Sequence, residues 1–182
     1  MDDEDVDVEA LVRRTPPACV NSFHLTPSQS PEPLEYGVTT NWQLGCACGS
    51  DSGQLLGHRL DELNPTYKGD LFVGPLAFEC SACGRVTELL DTAIHGYHAE
   101  VGKLEGGVGS AKLRGAGPRT RYACPGCQKT SFRMLVGFVY WDFDIIEDEP
   151  HLPAQEFFNE FLLYCTCVDC GHVSESTGFG KL

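Results

Sequence analysis

Eight of the ten cysteines in this chain fall into close pairs, the spacing used by metal-binding turns. The clearest lies in Phe78-Glu79-Cys80-Ser81-Ala82-Cys83-Gly84-Arg85, where two thiols separated by two residues precede a glycine. Such a turn curls so that both sulfurs point at one ion, and Gly84 supplies the dihedral freedom the curl needs. One turn provides two ligands, whereas structural zinc takes four. A matching pair stands upstream in Cys46-Ala47-Cys48-Gly49, with 31 residues between Cys48 and Cys80. The plan recurs in Cys124-Pro125-Gly126-Cys127 and Cys167-Val168-Asp169-Cys170-Gly171, across a gap of 39 residues. The expected chemistry is two closed four-thiolate sites, one of Cys46, Cys48, Cys80 and Cys83, the other of Cys124, Cys127, Cys167 and Cys170. Each would hold one structural zinc ion.

Other uses of these thiols fit the sequence less well. An even cysteine count also suits five disulfides, which belong to oxidising compartments. The opening Met1-Asp2-Asp3-Glu4-Asp5 has neither the basic nor the apolar segment of a secretion signal. No apolar run approaches the ~20 residues of a membrane span, so a reducing cytoplasm is the expected setting. A thiol oxidoreductase uses a lone CxxC at a helix N-terminus, whereas these pairs have partners and sit between strands. A catalytic zinc keeps one position open, and four cysteines close it. HExxH, GxxxxGK and serine-nucleophile motifs are absent, so no catalytic or cofactor-binding residue is assigned and the chain reads as non-enzymatic. The remaining candidate for catalysis is Asp91, His95, Tyr97, His98 and Glu100. On a helix, Asp91, His95 and His98 would share a face able to hold a further metal, although Gly96 weakens that helix and a polar loop is the plainer reading.

The elements that must position these residues are short. Residues 1–35 are acidic and then rich in proline, and read as a largely extended or disordered arm. Within it Val6, Val8, Leu11 and Val12 could dock as a short element, and Cys19 reads as an unliganded thiol. A first lobe, 36–98, carries strands into and out of the Cys46 and Cys80 turns. A glycine-rich joint, 99–121, contains Lys103, Lys112, Arg114, Arg119 and Arg121 and is the only notably basic stretch. A second lobe, 122–182, repeats the plan, with a long apolar strand from Ser131 and a short helix after Pro153. The fold class expected is mostly β with small α content: two tandem zinc-ribbon lobes, each a pair of knuckled β-hairpins around a four-cysteine site. Lobes of ~50 to 60 residues are marginal on hydrophobic burial alone, so metal would be part of the fold.

Aligning the halves on their CxxCG turns places Cys165 opposite Phe78, a strand position that packs into a core. Cys165 is therefore left out of the second site, with a Cys165–Cys167 pair as the competing choice. On these residues each half resembles a zinc ribbon of the rubredoxin-like type, over 40–93 and 118–178. Cys46-Ala47-Cys48 departs from the usual CxxC by one residue. The resemblance implies structural zinc, or iron as in rubredoxins, and it implies transcription or translation machinery in which basic and aromatic side chains contact nucleic acid.

The charge runs against nucleic acid, because the formal net charge is −13 and tetrathiolate zinc would add about two negative units per site. The expected function is a zinc-stabilised protein-binding or regulatory module that recognises a basic protein, in the manner of an immunity or adaptor protein. The stretch 138–161, with Tyr140, Trp141, Phe143, Phe157 and Phe158 among Asp144, Glu147 and Asp148, is the candidate surface. Two alternatives stand beside it: a nucleic-acid-associated ribbon using Arg114, Arg119 and Arg121, and a metal-dependent enzyme using His95 and His98.

Overall fold

The computed structural model describes residues 7–32, 34–104, 106, 114–148 and 153–179, with side chains to 176. The segment opens with helix α1 (Val8–Arg14), and strands β1 (His24–Pro27), β2 (Val38–Gly45) and β3 (Ser52–Arg59) follow. After them come α2 (Leu60–Leu63), β4 (Phe72–Cys80), β5 (Val86–Leu90) and α3 (Tyr97–Leu104). The second half contributes β6 (Thr120–Arg121), β7 (Phe132–Tyr140), α4 (Phe143–Asp148), β8 (Glu160–Cys167) and β9 (Val173–Phe179). The protein is mostly β, and the nine strands among the described residues join one antiparallel sheet.

Each half is a three-stranded meander, β3-β4-β5 and β7-β8-β9, and the two share their register next to the cysteine turns, although the shift between Leu56 and His58 in β3-β4 has no counterpart in β7-β8. Leu55 faces Phe78 as Met134 faces Cys165, and both β4-β5 and β8-β9 carry a register shift, after Leu76 and after Leu163. The meanders meet where β3 and β7 cross, at Gly53↔Phe132 and Ser52↔Arg133. Gly53 and Phe132 correspond under the repeat and pair with each other, so the crossing lies on a local pseudo-twofold axis.

The strand before each meander pairs across that axis. Strand β2 runs beside β7, with Gln43 facing Leu135, and β6 runs beside β3, with Arg121 facing Leu56. Gln43 and Arg121 each stand three residues before the first cysteine of their half. Each half thus lends its leading strand to the other. The first turn of each half consequently joins strands that do not pair with one another, while the second turn closes an ordinary hairpin.

Alternation along β2 buries Val38, Thr40, Trp42 and Leu44 on one face. Strand β7 is apolar at almost every position because both of its faces are covered. Met134, Val136, Phe138 and Tyr140 enter the main core, and Leu135 and Val139 join Leu162 and Tyr164 on the other face. The proline-rich segment expected to be largely extended or disordered is tied in from Asp7 onward. Asp7 caps α1 by accepting the Ala10 N–H, and Val8 and Val12, one turn apart, reach the core with Val20 and Phe23. The basic joint is also more regular than its glycines suggest, since α3 occupies its start and β6 its end. Residues 1–6, Pro33, Lys112 and Gly107 to Gly109 lie outside the described residues.

Candidate metal centres

The fold brings each expected set of four thiols together. In both sets the four sulfurs lie within 4.8 Å of one another. Approaches include 3.7 Å for Cys46–Cys83 and 3.6 Å for Cys48–Cys80, then 3.6 Å for Cys124–Cys170 and 3.5 Å for Cys127–Cys167. A tetrahedron of sulfurs ~2.3 Å from an ion has edges of ~3.8 Å, whereas a disulfide needs ~2.05 Å. The separations fit ligands around a single ion.

The turns explain how the sulfurs converge. In the Cys80 turn the Cys80 N–H donates to the Arg85 carbonyl and the Gly84 N–H donates back to the Cys80 carbonyl. The Cys124 and Cys167 turns repeat this with Lys129 and Gln128, and with His172 and Gly171. At Cys46 the partners move one residue closer, to Ser50 and Gly49, because that turn is CxC. The missing residue is absorbed inside the turn, and the strands on both sides keep their register. Each turn ends on a left-handed residue: Gly49, Gly84 and Gly171 at φ 93°, 69° and 74°, and Gln128 at 63°. Gln128 donates its side-chain amide to the Cys124 carbonyl at 3.2 Å. A Cβ at Gly84 or Gly171 would meet open space, so the conformation alone sets the cost of adding one. Gly84→Ala and Gly171→Ala are each expected to lower stability by about 1–2 kcal/mol, read as a drop in the urea midpoint.

One thiol of each set is primed for the ligand state. Burial disfavours a thiolate at Cys80, but the Cys83 and Ala82 N–H groups and the facing Cys48 and Cys46 outweigh it and bring Cys80 down to about 6. Cys167 is brought to about 7 against its burial by the Cys170 and Asp169 N–H groups. These amides point at the sulfurs and stabilise negative charge there.

The remaining two cysteines lie outside both groups. Cys165 is fully buried 3.3 Å from the Ser176 hydroxyl, and burial pushes its thiol up to about 12. It takes the core position that Phe78 fills in the first half. Cys19 packs against the core, and burial followed by the nearby Glu156 raises it to about 12.

The histidine cluster does not form the helical face that the metal-binding alternative requires. Gly96 adopts φ +87°, and α3 begins only at Tyr97. Gly96 also lies under Phe158, whose ring a Cβ would meet at 2.9 Å. The His95 Nδ1 accepts the Asp91 N–H at 3.0 Å, while Asp91 takes the Arg114 fork at 2.8–3.1 Å. His98 is exposed and stacks edge-on with Tyr97. Among the described residues the four-sulfur groups are the ones able to hold an ion, and His95 and His98 are not in either.

Among the described residues, the cations of the basic joint are paired with carboxylates. Arg114 pairs with Asp91, Arg119 with Glu88 at 2.5 Å, Arg121 with Glu79 at 3.1 Å, and Lys103 with Glu100. Burial opposes ionisation of Asp91, but the Arg114 fork and the Ala93 N–H outweigh it and hold that carboxyl below its usual range. Its stabilising contribution is therefore present above the unfolded carboxylate pKa and fades as pH falls through the lower folded value. Arg114→Gln is expected to lower the urea midpoint slightly at neutral pH, with the difference from wild type vanishing in acid.

The aromatic stretch proposed as a surface is mostly interior. Tyr140, Phe157 and Phe158 are buried, and Phe143 packs against the core from α4. Trp141 alone of the five is exposed, at 41%. Asp144, Glu147 and Asp148 stay exposed on α4. Strand alternation continues through Phe138 and Tyr140, which is why those rings turn inward.

No family model, curated protein or solved structure matches this chain. No helix among the described residues is long and apolar enough to cross a membrane.

Proposed function

We propose that this chain is a non-enzymatic, zinc-stabilised module that binds a basic protein, in the manner of an immunity or adaptor protein. Zinc suits the two sites because each offers four thiols and no vacant coordination position, the donor set of a structural rather than catalytic ion. The observation that carries the binding role is the uneven distribution of charge pairing. Lys103, Arg114, Arg119 and Arg121 of the joint are engaged by neighbouring carboxylates, whereas Asp142, Asp144, Glu147 and Asp148 have no ion-pair partner among the described residues. With a net charge of −13, the field favours cationic protein and disfavours phosphate backbones.

Affinity capture with the full chain at low and high salt, with and without nuclease, tests the reading. Basic proteins that survive nuclease and are released by salt are expected. Capture of nucleic acid, or of acidic proteins indifferent to salt, would overturn it. Metal analysis should return two zinc ions per colourless chain; a red, iron-containing product would refute the zinc assignment.

A further inference from the structure

Among the described residues, the two aromatic rings that remain exposed stand side by side. Tyr36 is 46% and Trp141 41% exposed, with ring centroids 5.7 Å apart at 63°. Their placement is built by several contacts. Gly37, at φ +67°, passes so close to the end of β7 that a Cβ there would lie 2.5 Å from the Tyr140 carbonyl oxygen, which keeps Tyr36 beside Trp141. Asn159 holds the other side, accepting the Trp141 N–H at 2.9 Å and donating to the Asp142 carboxylate at 2.7 Å. Its own N–H donates to the Val139 carbonyl at 2.7 Å.

Glu160 lies next to this pair and is only 5% exposed. The donor it has among the described residues is the Tyr36 hydroxyl, 3.3 Å from each carboxylate oxygen, and no ion pair includes it. That distance exceeds the ~2.5–3.0 Å of a normal O–H···O bond. A carboxylate so shielded from water retains most of its acceptor capacity and calls for stronger donors. The phenol of Tyr36 is held above its ordinary value, first by burial and then by Glu160 and Glu175, which places two carboxylates beside the ring.

We propose that Tyr36 and Trp141, with the buried carboxylate of Glu160 beside them, form a receptor for an arginine side chain of a basic protein. A guanidinium is planar, stacks on aromatic faces and presents paired donors to a carboxylate, whereas an ammonium does only part of this. Asp142, Asp144, Glu147 and Asp148 supply longer-range attraction for the rest of the cationic segment. This inference rests on the reading of the chain as a binder of basic protein and adds where, and through which side chain, the contact is made.

The test is the anisotropy of fluorescein-labelled octa-arginine titrated with full, metal-loaded chain in about 0.15 M salt. Trp141→Ala, Tyr36→Ala and Glu160→Gln are each expected to weaken binding by roughly tenfold or more. Octa-lysine should bind several-fold less tightly, and the combined D144N, E147Q and D148N chain should weaken both peptides alike and lower their salt sensitivity, leaving the preference for arginine over lysine in place. Metal content and far-UV spectra verify folding, and the exposed Tyr36 and Trp141 keep the test valid if the Glu160 variant unfolds. Octa-arginine binding that all three site variants leave intact overturns the receptor while the basic-partner reading stands. Wild-type chain that prefers octa-arginine no more than a neutral glycine-serine peptide overturns both.

Discussion

Stripping bound metal with a strong chelator under reducing conditions is expected to unfold the whole protein, and Cys80→Ser or Cys124→Ser is expected to do so without a chelator. A structural zinc contributes an apparent ~10–16 kcal/mol to folding, whereas a domain's net stability is only ~5–15 kcal/mol. Losing one ion therefore removes as much free energy as the fold has to spare. Without the ion, four thiols brought to 3.5–3.7 Å contacts have nothing at their centre to hold the turns closed. Strands β3 and β7 cross directly, so damage at either centre spreads through the common sheet. Far-UV circular dichroism and limited proteolysis, followed against zinc released, should show loss of β structure in step with loss of metal. Cys165→Ala is the control, and two ions per chain are expected to remain. A metal-free chain that kept its dispersion in NMR spectra would overturn the account.

The second large effect concerns the crossing of the two halves. A Cβ on Gly53 would lie 2.4 Å from the Phe78 ring and 2.6 Å from the Glu79 carbonyl oxygen. In the other half the corresponding positions hold Phe132 and Cys165. Bulk has changed places: a ring on β4 faces a glycine on β3, and a ring on β7 accompanies a small thiol on β8. Gly53→Phe alone overpacks the core, at about 1–3 kcal/mol or more. Phe78→Cys alone leaves a cavity and removes the edge contact with Phe23 at 5.7 Å, for about 3–5 kcal/mol. The double variant recreates the pattern of the second half, so the two changes should offset one another by about 1–3 kcal/mol in a urea denaturation cycle. Strictly additive losses would show that the two positions do not share space.

The thiol sets were readable in the chain because their constraint is local. A CxC or CxxC ahead of a glycine or another left-handed residue states its own geometry, and Cys165 could be set aside by aligning it with Phe78. Strand partners are not written this way. Nothing near Gln43 or Arg121 says that each pairs with the opposite half, and the unbroken apolar run of β7 hides which of its faces meets which layer. The aromatic and acidic mixture after Phe138 reads as a surface or as a core with equal ease, and only the continuing strand register turns Tyr140 inward. The proline-rich start looked extended by composition, yet Val8 and Val12, one helical turn apart, were enough to anchor it.

The exchanged strands bear on how the ions enter. Cys46 and Cys124 each follow a strand hydrogen-bonded to the opposite half, so neither quartet of sulfurs can assemble from its own meander alone. Seating one ion would fix strands that deliver a ligand to the other, so uptake is expected to be cooperative. Native mass spectra at half-saturating zinc should then show mainly empty and doubly loaded chains, with few carrying one.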